Sequence, residues 1–118
     1  MTSATPHQAL PPILPETTIS VSPPTAVLNH AAPAPGNMQQ FLAFDTTSIP
    51  GCVHTLANLT TATWSVSDTT NVSISNVHDA TYGFATCNGA TAGAATITAT
   101  VPVGDGTNVS STASLTCN

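Results

Sequence analysis

The sequence contains no lysine and no arginine, and its acids are limited to Glu16, Asp45, Asp68, Asp79 and Asp105, so only 4% of its 118 residues are charged. An average globular protein carries about a quarter. Without side-chain cations the chain has nothing to neutralise phosphates, which argues against nucleic-acid binding, and nothing to draw it to an anionic membrane surface. Aromatic residues are scarce as well: Trp64, Tyr82 and three phenylalanines. No apolar run approaches the roughly 20 residues of a spanning helix, so membrane insertion is not expected although 41% of residues are hydrophobic. The first residues, Met1-Thr2-Ser3-Ala4-Thr5-Pro6, show neither the basic nor the apolar segment of a signal peptide.

Serine and threonine fill the gap left by charge, with 33 residues between them. Solubility then rests on neutral hydroxyls and amides. An exterior without Lys or Arg also offers no cleavage site to trypsin-like proteases, which suits an extracellular setting. One domain is the expectation for this length.

Residues 1–16 hold Pro6, Pro11, Pro12 and Pro15, a composition that favours polyproline II and keeps the segment out of a sheet. This is read as an extended N-terminal arm whose Leu10, Ile13 and Leu14 are available to pack against a neighbouring subunit, the alternative being a disordered leader. From residue 17 onward the chain alternates. Ile97, Ala99 and Val101 fall on one side of the stretch 94–101 and Thr96, Thr98 and Thr100 on the other, the period of a half-buried strand. The same reading places strands at 17–21 (continued at 25–29 after Pro23-Pro24), 39–46, 61–67, 72–75, 81–87, 94–101 and 109–117. Seven short strands at about ten-residue spacing, with no helical segment, point to a β-sandwich over 17–118. The expected core is Ile19, Val21, Phe41, Ala43, Trp64, Val66, Ala85, Ile97, Ala99, Val101 and Leu115.

With the strands laid out, four segments carry a resemblance: Ile19-Ser20-Val21-Ser22-Pro23, Gln40-Phe41-Leu42-Ala43, Ala62-Thr63-Trp64-Ser65-Val66-Ser67-Asp68, and Gly93-Ala94-Ala95-Thr96-Ile97-Thr98-Ala99-Thr100, closed by Leu115. In this order and spacing the chain resembles a bacterial immunoglobulin-like domain of group 2, the intimin/invasin type. The resemblance implies a seven-stranded Greek-key sandwich used as a spacer, adhesive or stalk module on cell surfaces, or as a decoration on phage particles, and it brings no active site with it. The proline-rich arm, the loop 47–59 and the cysteines depart from that pattern.

Three cysteines are present. Cys87 is in phase with Ala85 and Cys117 with Leu115, so both face the core side near strand ends and are expected to pair. Cys52, on the long loop, is left unpaired or free for a bond to a second chain; the alternative is that all three are reduced and packed. Cys52 and His54 with His78-Asp79 match no zinc spacing, and no cofactor is expected. Serine is abundant, but no Gly-x-Ser-x-Gly elbow is present, and five scattered acids make no catalytic pair. No catalytic residue is assigned.

The expectation is a non-enzymatic extracellular or cell-surface subunit that assembles with copies of itself through its arm. The alternatives are a phage virion decoration protein and a carbohydrate-binding module, with surface glycans as the partner in the last case.

Overall fold

We describe residues 18–46, 59–102 and 106–118 of a computed structural model. Leu10, Ile13 and Leu14 of the expected arm, and Cys52, lie outside these residues. The described chain is all-β, in nine strands: β1 (Ile19–Ser22), β2 (Thr25–Leu28), β3 (Met38–Gln40), β4 (Leu42–Asp45), β5 (Thr63–Val66), β6 (Val72–Ile74), β7 (Phe84–Cys87), β8 (Ala95–Pro102) and β9 (Asn108–Cys117). They form a four-stranded sheet ordered β2-β9-β8-β5, a three-stranded sheet β3-β7-β6 and a two-stranded pair β1-β4.

The hairpin of β8 and β9 is the longest pairing, antiparallel from Ala95 opposite Leu115 to Pro102 opposite Asn108. Its length follows from uninterrupted alternation. Ala95, Ile97, Ala99 and Val101 turn inward along β8, and Ala113, Leu115 and Cys117 do so along β9, so one register buries both sets.

Two sequence-level strands are each divided between partners, which turns the expected seven into nine. The run 39–46 breaks at Phe41, which is fully buried and whose N–H donates to Gly83 O at 2.8 Å. β3 before the break pairs with β7, and β4 after it pairs with β1. Near the N-terminus, Pro23 and Pro24 separate β1, antiparallel to β4, from β2, parallel to β9. A proline has no N–H to place in a ladder, so the chain changes partner there; the Ser22–Pro23 and Ala34–Pro35 peptide bonds are cis. Alternation reports which side chains face inward and is blind to which strand lies alongside.

The inward faces meet in one core. Val21, Phe41, Ala43, Trp64, Ala85, Ile97, Ala99, Val101 and Leu115 are buried, whereas Ile19 and Val66 are half-buried and pack on its margin. Ala62, Val72, Tyr82, Ala95 and Ala113 complete it. Six of these residues are alanines, each removing little apolar surface from water. At about 1.5 to 3 kcal/mol for a fully buried large side chain, Phe41, Ile97 and Leu115, with the nearly buried Trp64, carry much of the burial. Cys87 at the end of β7 and Cys117 at the end of β9 are joined by a disulfide with their Cα atoms 5.8 Å apart. The bond ties the three-stranded sheet to the four-stranded one through the core.

Candidate functional site

Three surface features were built up from these strands: a recess beside Tyr82, the outer face of the four-stranded sheet, and the two edges of that sheet.

The recess has a volume of about 520 Å³ and is lined by Gln40, Thr60, His78, Asp79 and Tyr82. Its floor is set by the turn that precedes β7. Gly83 in that turn has φ +78°, and a Cβ at this position would stand 2.3 Å from Phe41 O, so only glycine lets the turn pack there. Tyr82 is thereby held in the core edge-on to Trp64, with ring centroids 6.5 Å apart, and its hydroxyl donates to Ala62 O. His78 stacks on the other side of Tyr82, centroids 4.8 Å apart, and its Nε2 donates to Thr60 O at 2.8 Å. The Gln40 amide donates to Tyr82 O at 3.2 Å.

Burial pushes the Tyr82 phenol above its ordinary value, and the neighbouring Trp64 indole N–H pulls the other way. That indole N–H is buried without a hydrogen-bond partner, so it acts on the phenol as a nearby dipole rather than through a formed bond. Asp79 is held below the usual carboxylate range by the Thr81 hydroxyl and then by the Thr81 N–H. Its Oδ1 accepts both, at 2.5 and 2.7 Å. Asp79 therefore closes its own turn rather than orienting His78. Asp68 does likewise, lowered first by the Asn71 side chain and then by its N–H. Among the described residues no group of three His, Cys, Asp or Glu side chains could hold a metal ion.

The outer face of the four-stranded sheet is built from the residues that alternate with the core. Register aligns Thr63, Thr100 and Ser110 in one row, and Ser65, Thr98 and Thr112 in the next. A third row runs through Thr96, Ser114 and Thr25, and Thr116 lies beside Val27 in a fourth. Every member but Val27 carries a hydroxyl, none is charged, and Thr100 and Ser110 bond to each other at 3.2 Å.

The edges of this sheet differ. At β5, Asn76 Oδ1 accepts the Trp64 N–H at 2.7 Å and Asn76 Nδ2 donates to Trp64 O at 3.0 Å, while Tyr82 occupies Ala62 O. Side chains therefore take the place of a further strand. At β2 no described strand lies beyond, and Val27 is 66% exposed.

No family model matches the chain, and no curated protein matches it in sequence. Sequence reasoning found the hydroxyl face through the Thr-x-Thr-x-Thr of β8 and missed the Asn76 clamp, since an asparagine between Ser75 and Val77 carries no local signal of a partner twelve residues away.

Proposed function

We propose that the chain is a non-enzymatic, extracellular immunoglobulin-like subunit that assembles with copies of itself, with the proline-rich arm engaging the next subunit. The observation that carries this reading is the sorting of the strands. Taking β3 and β4 as the two halves of one strand, β1, β4/β3, β7 and β6 make one layer, and β2, β9, β8 and β5 make the other. This sorting supports the immunoglobulin-like reading, since a Greek-key sandwich of that kind also packs two such layers and carries a buried tryptophan on its third strand. Trp64 sits on β5, the corresponding strand.

An inter-layer disulfide supports an oxidising compartment. The uncharged hydroxyl face supports association, because like subunits meet with little repulsion. A carbohydrate module draws less support: Trp64 and Tyr82, the largest aromatic rings, are both in the core and offer no platform on which a sugar could stack.

The test is electron microscopy of the purified full chain beside a variant with Leu10→Asp, Ile13→Asp and Leu14→Asp. Regular polymers are expected from the first and none from the second. Polymers that persist unchanged in the variant would rule out the arm as the contact.

A further inference from the structure

We infer that β2 is a homotypic pairing edge, at which a second copy of the chain adds its own β2 antiparallel about a two-fold axis. This rests on the self-assembly proposed above and names a surface for it.

The argument starts from where the backbone of β2 points. Pro24 O accepts Ser114 N–H, Leu28 O accepts Asn118 N–H, and His30 N–H donates to Asn118 O. Residues 24, 28 and 30 thus turn their polar groups toward β9, and alternation along an extended chain places Ala26 with them. Thr25 and Val27 then direct their N–H and C=O away from the sheet, where no described strand lies.

An antiparallel copy centred on Ala26 brings Thr25 opposite Val27 of the second copy, and Val27 opposite its Thr25. Each of these pairs exchanges both backbone bonds. The edge is therefore self-complementary in donors, acceptors and spacing, and a two-fold contact needs nothing more. Charge agrees with this occupant. None of the five acids lies in residues 23–30, so identical strands meet without repulsion, and the lysines that commonly guard an exposed edge do not exist in this chain. At the opposite edge, β5, Asn76 and Tyr82 occupy the outward groups of Trp64 and Ala62, whereas the outward groups of Thr25 and Val27 on β2 face no described strand. The arm suits the position poorly, because Pro11, Pro12 and Pro15 lack the N–H groups a pairing strand must donate.

The product is one sheet running from β5 of one copy to β5 of the other, with the hydroxyl faces of both continuous across the axis. Such a contact closes at a dimer. Extension beyond it falls to the arm.

The experiment uses the full chain with Cys52→Ser, so that a Cys52–Cys52 bond cannot imitate the contact. Light scattering across a concentration series, in the Leu10→Asp, Ile13→Asp, Leu14→Asp background where arm-mediated polymers do not form, is expected to show a monomer–dimer equilibrium. Amide exchange at Thr25 and Val27, followed by NMR, is expected to slow at least tenfold as the dimer fills. Val27→Pro removes the outward N–H and leaves the bonds to β9 in place; it is expected to remain monomeric, and Val27→Lys, which keeps the N–H but adds like charges, serves should the proline variant fold poorly. Dimerisation of a folded variant at wild-type concentration overturns the inference, as does exchange at Thr25 and Val27 that ignores concentration. The Leu10, Ile13, Leu14 triple variant separates the two ideas. Loss of polymers with the dimer kept supports both, polymers that persist beside an intact dimer overturn only the arm, and loss of the dimer itself overturns the β2 contact.

Discussion

The side chain of Asn76 pairs with the backbone of Trp64 as a neighbouring strand would, accepting its N–H at 2.7 Å and donating to its carbonyl at 3.0 Å. One residue thus caps the edge of β5 at Trp64 and ties down the strand that carries the tryptophan of the core. Asn76→Ala leaves both Trp64 groups without this partner. A loss of about 1 to 3 kcal/mol is expected in urea unfolding, with faster amide exchange at Trp64. Unchanged exchange there would show that water replaces the clamp at no cost.

The disulfide between Cys87 and Cys117 closes a loop over a sequence separation of 30. On chain-entropy grounds its removal costs about 3 to 4 kcal/mol. A total stability of about 5 to 15 kcal/mol is usual for a domain, and a core rich in alanine leaves little in reserve. The double variant Cys87→Ala/Cys117→Ala should lower the urea midpoint accordingly. A midpoint equal to that of the parent would mean that packing alone joins the two sheets.

Gly83 and Gly93 both adopt positive φ, yet their surroundings differ. A Cβ at Gly83 meets Phe41 O at 2.3 Å, whereas one at Gly93 meets nothing within 4 Å. Gly93→Ala therefore carries only the backbone strain, about 1 kcal/mol. Gly83→Ala adds a clash with a main-chain carbonyl beneath the Tyr82 turn and should cost on the order of 2 to 4 kcal/mol. Thermal melting of the two variants side by side checks the ranking.

Burial raises the Tyr82 phenol above the ordinary tyrosine value of about 10. The unfolded chain then releases this proton at lower pH than the folded one, so the folded state binds more protons in that window and stability falls as pH rises past about 10. In Tyr82→Phe that alkaline slope should flatten, while stability at neutral pH drops because the bond to Ala62 O is gone. Melting temperatures measured between pH 8 and 11 would show both effects, and a slope unchanged by the substitution would assign it to another group.

The inward and outward faces of the strands were legible in the sequence because alternation is a local property. Ile97, Ala99 and Val101 had only to keep phase with one another, and the phases of Cys87 with Ala85 and of Cys117 with Leu115 bring both thiols to the side where they join. The hydroxyl face was legible for the same reason.

The choice of partner was not legible. Nothing in residues 39–46 says that the chain serves β7 before Phe41 and β1 after it, and nothing in Asn76 says that it will stand in for a strand beside Trp64. Pro23 and Pro24 mark a break without saying that the next strand joins the other sheet. By itself the sequence determined an all-β chain, its inward residues and its hydroxyl-rich, sparsely charged surface, each set by neighbours along the chain. Which edge is closed and which stays open was decided by tertiary structure alone, because an edge is defined by what packs beside it, and such contacts join residues far apart in sequence.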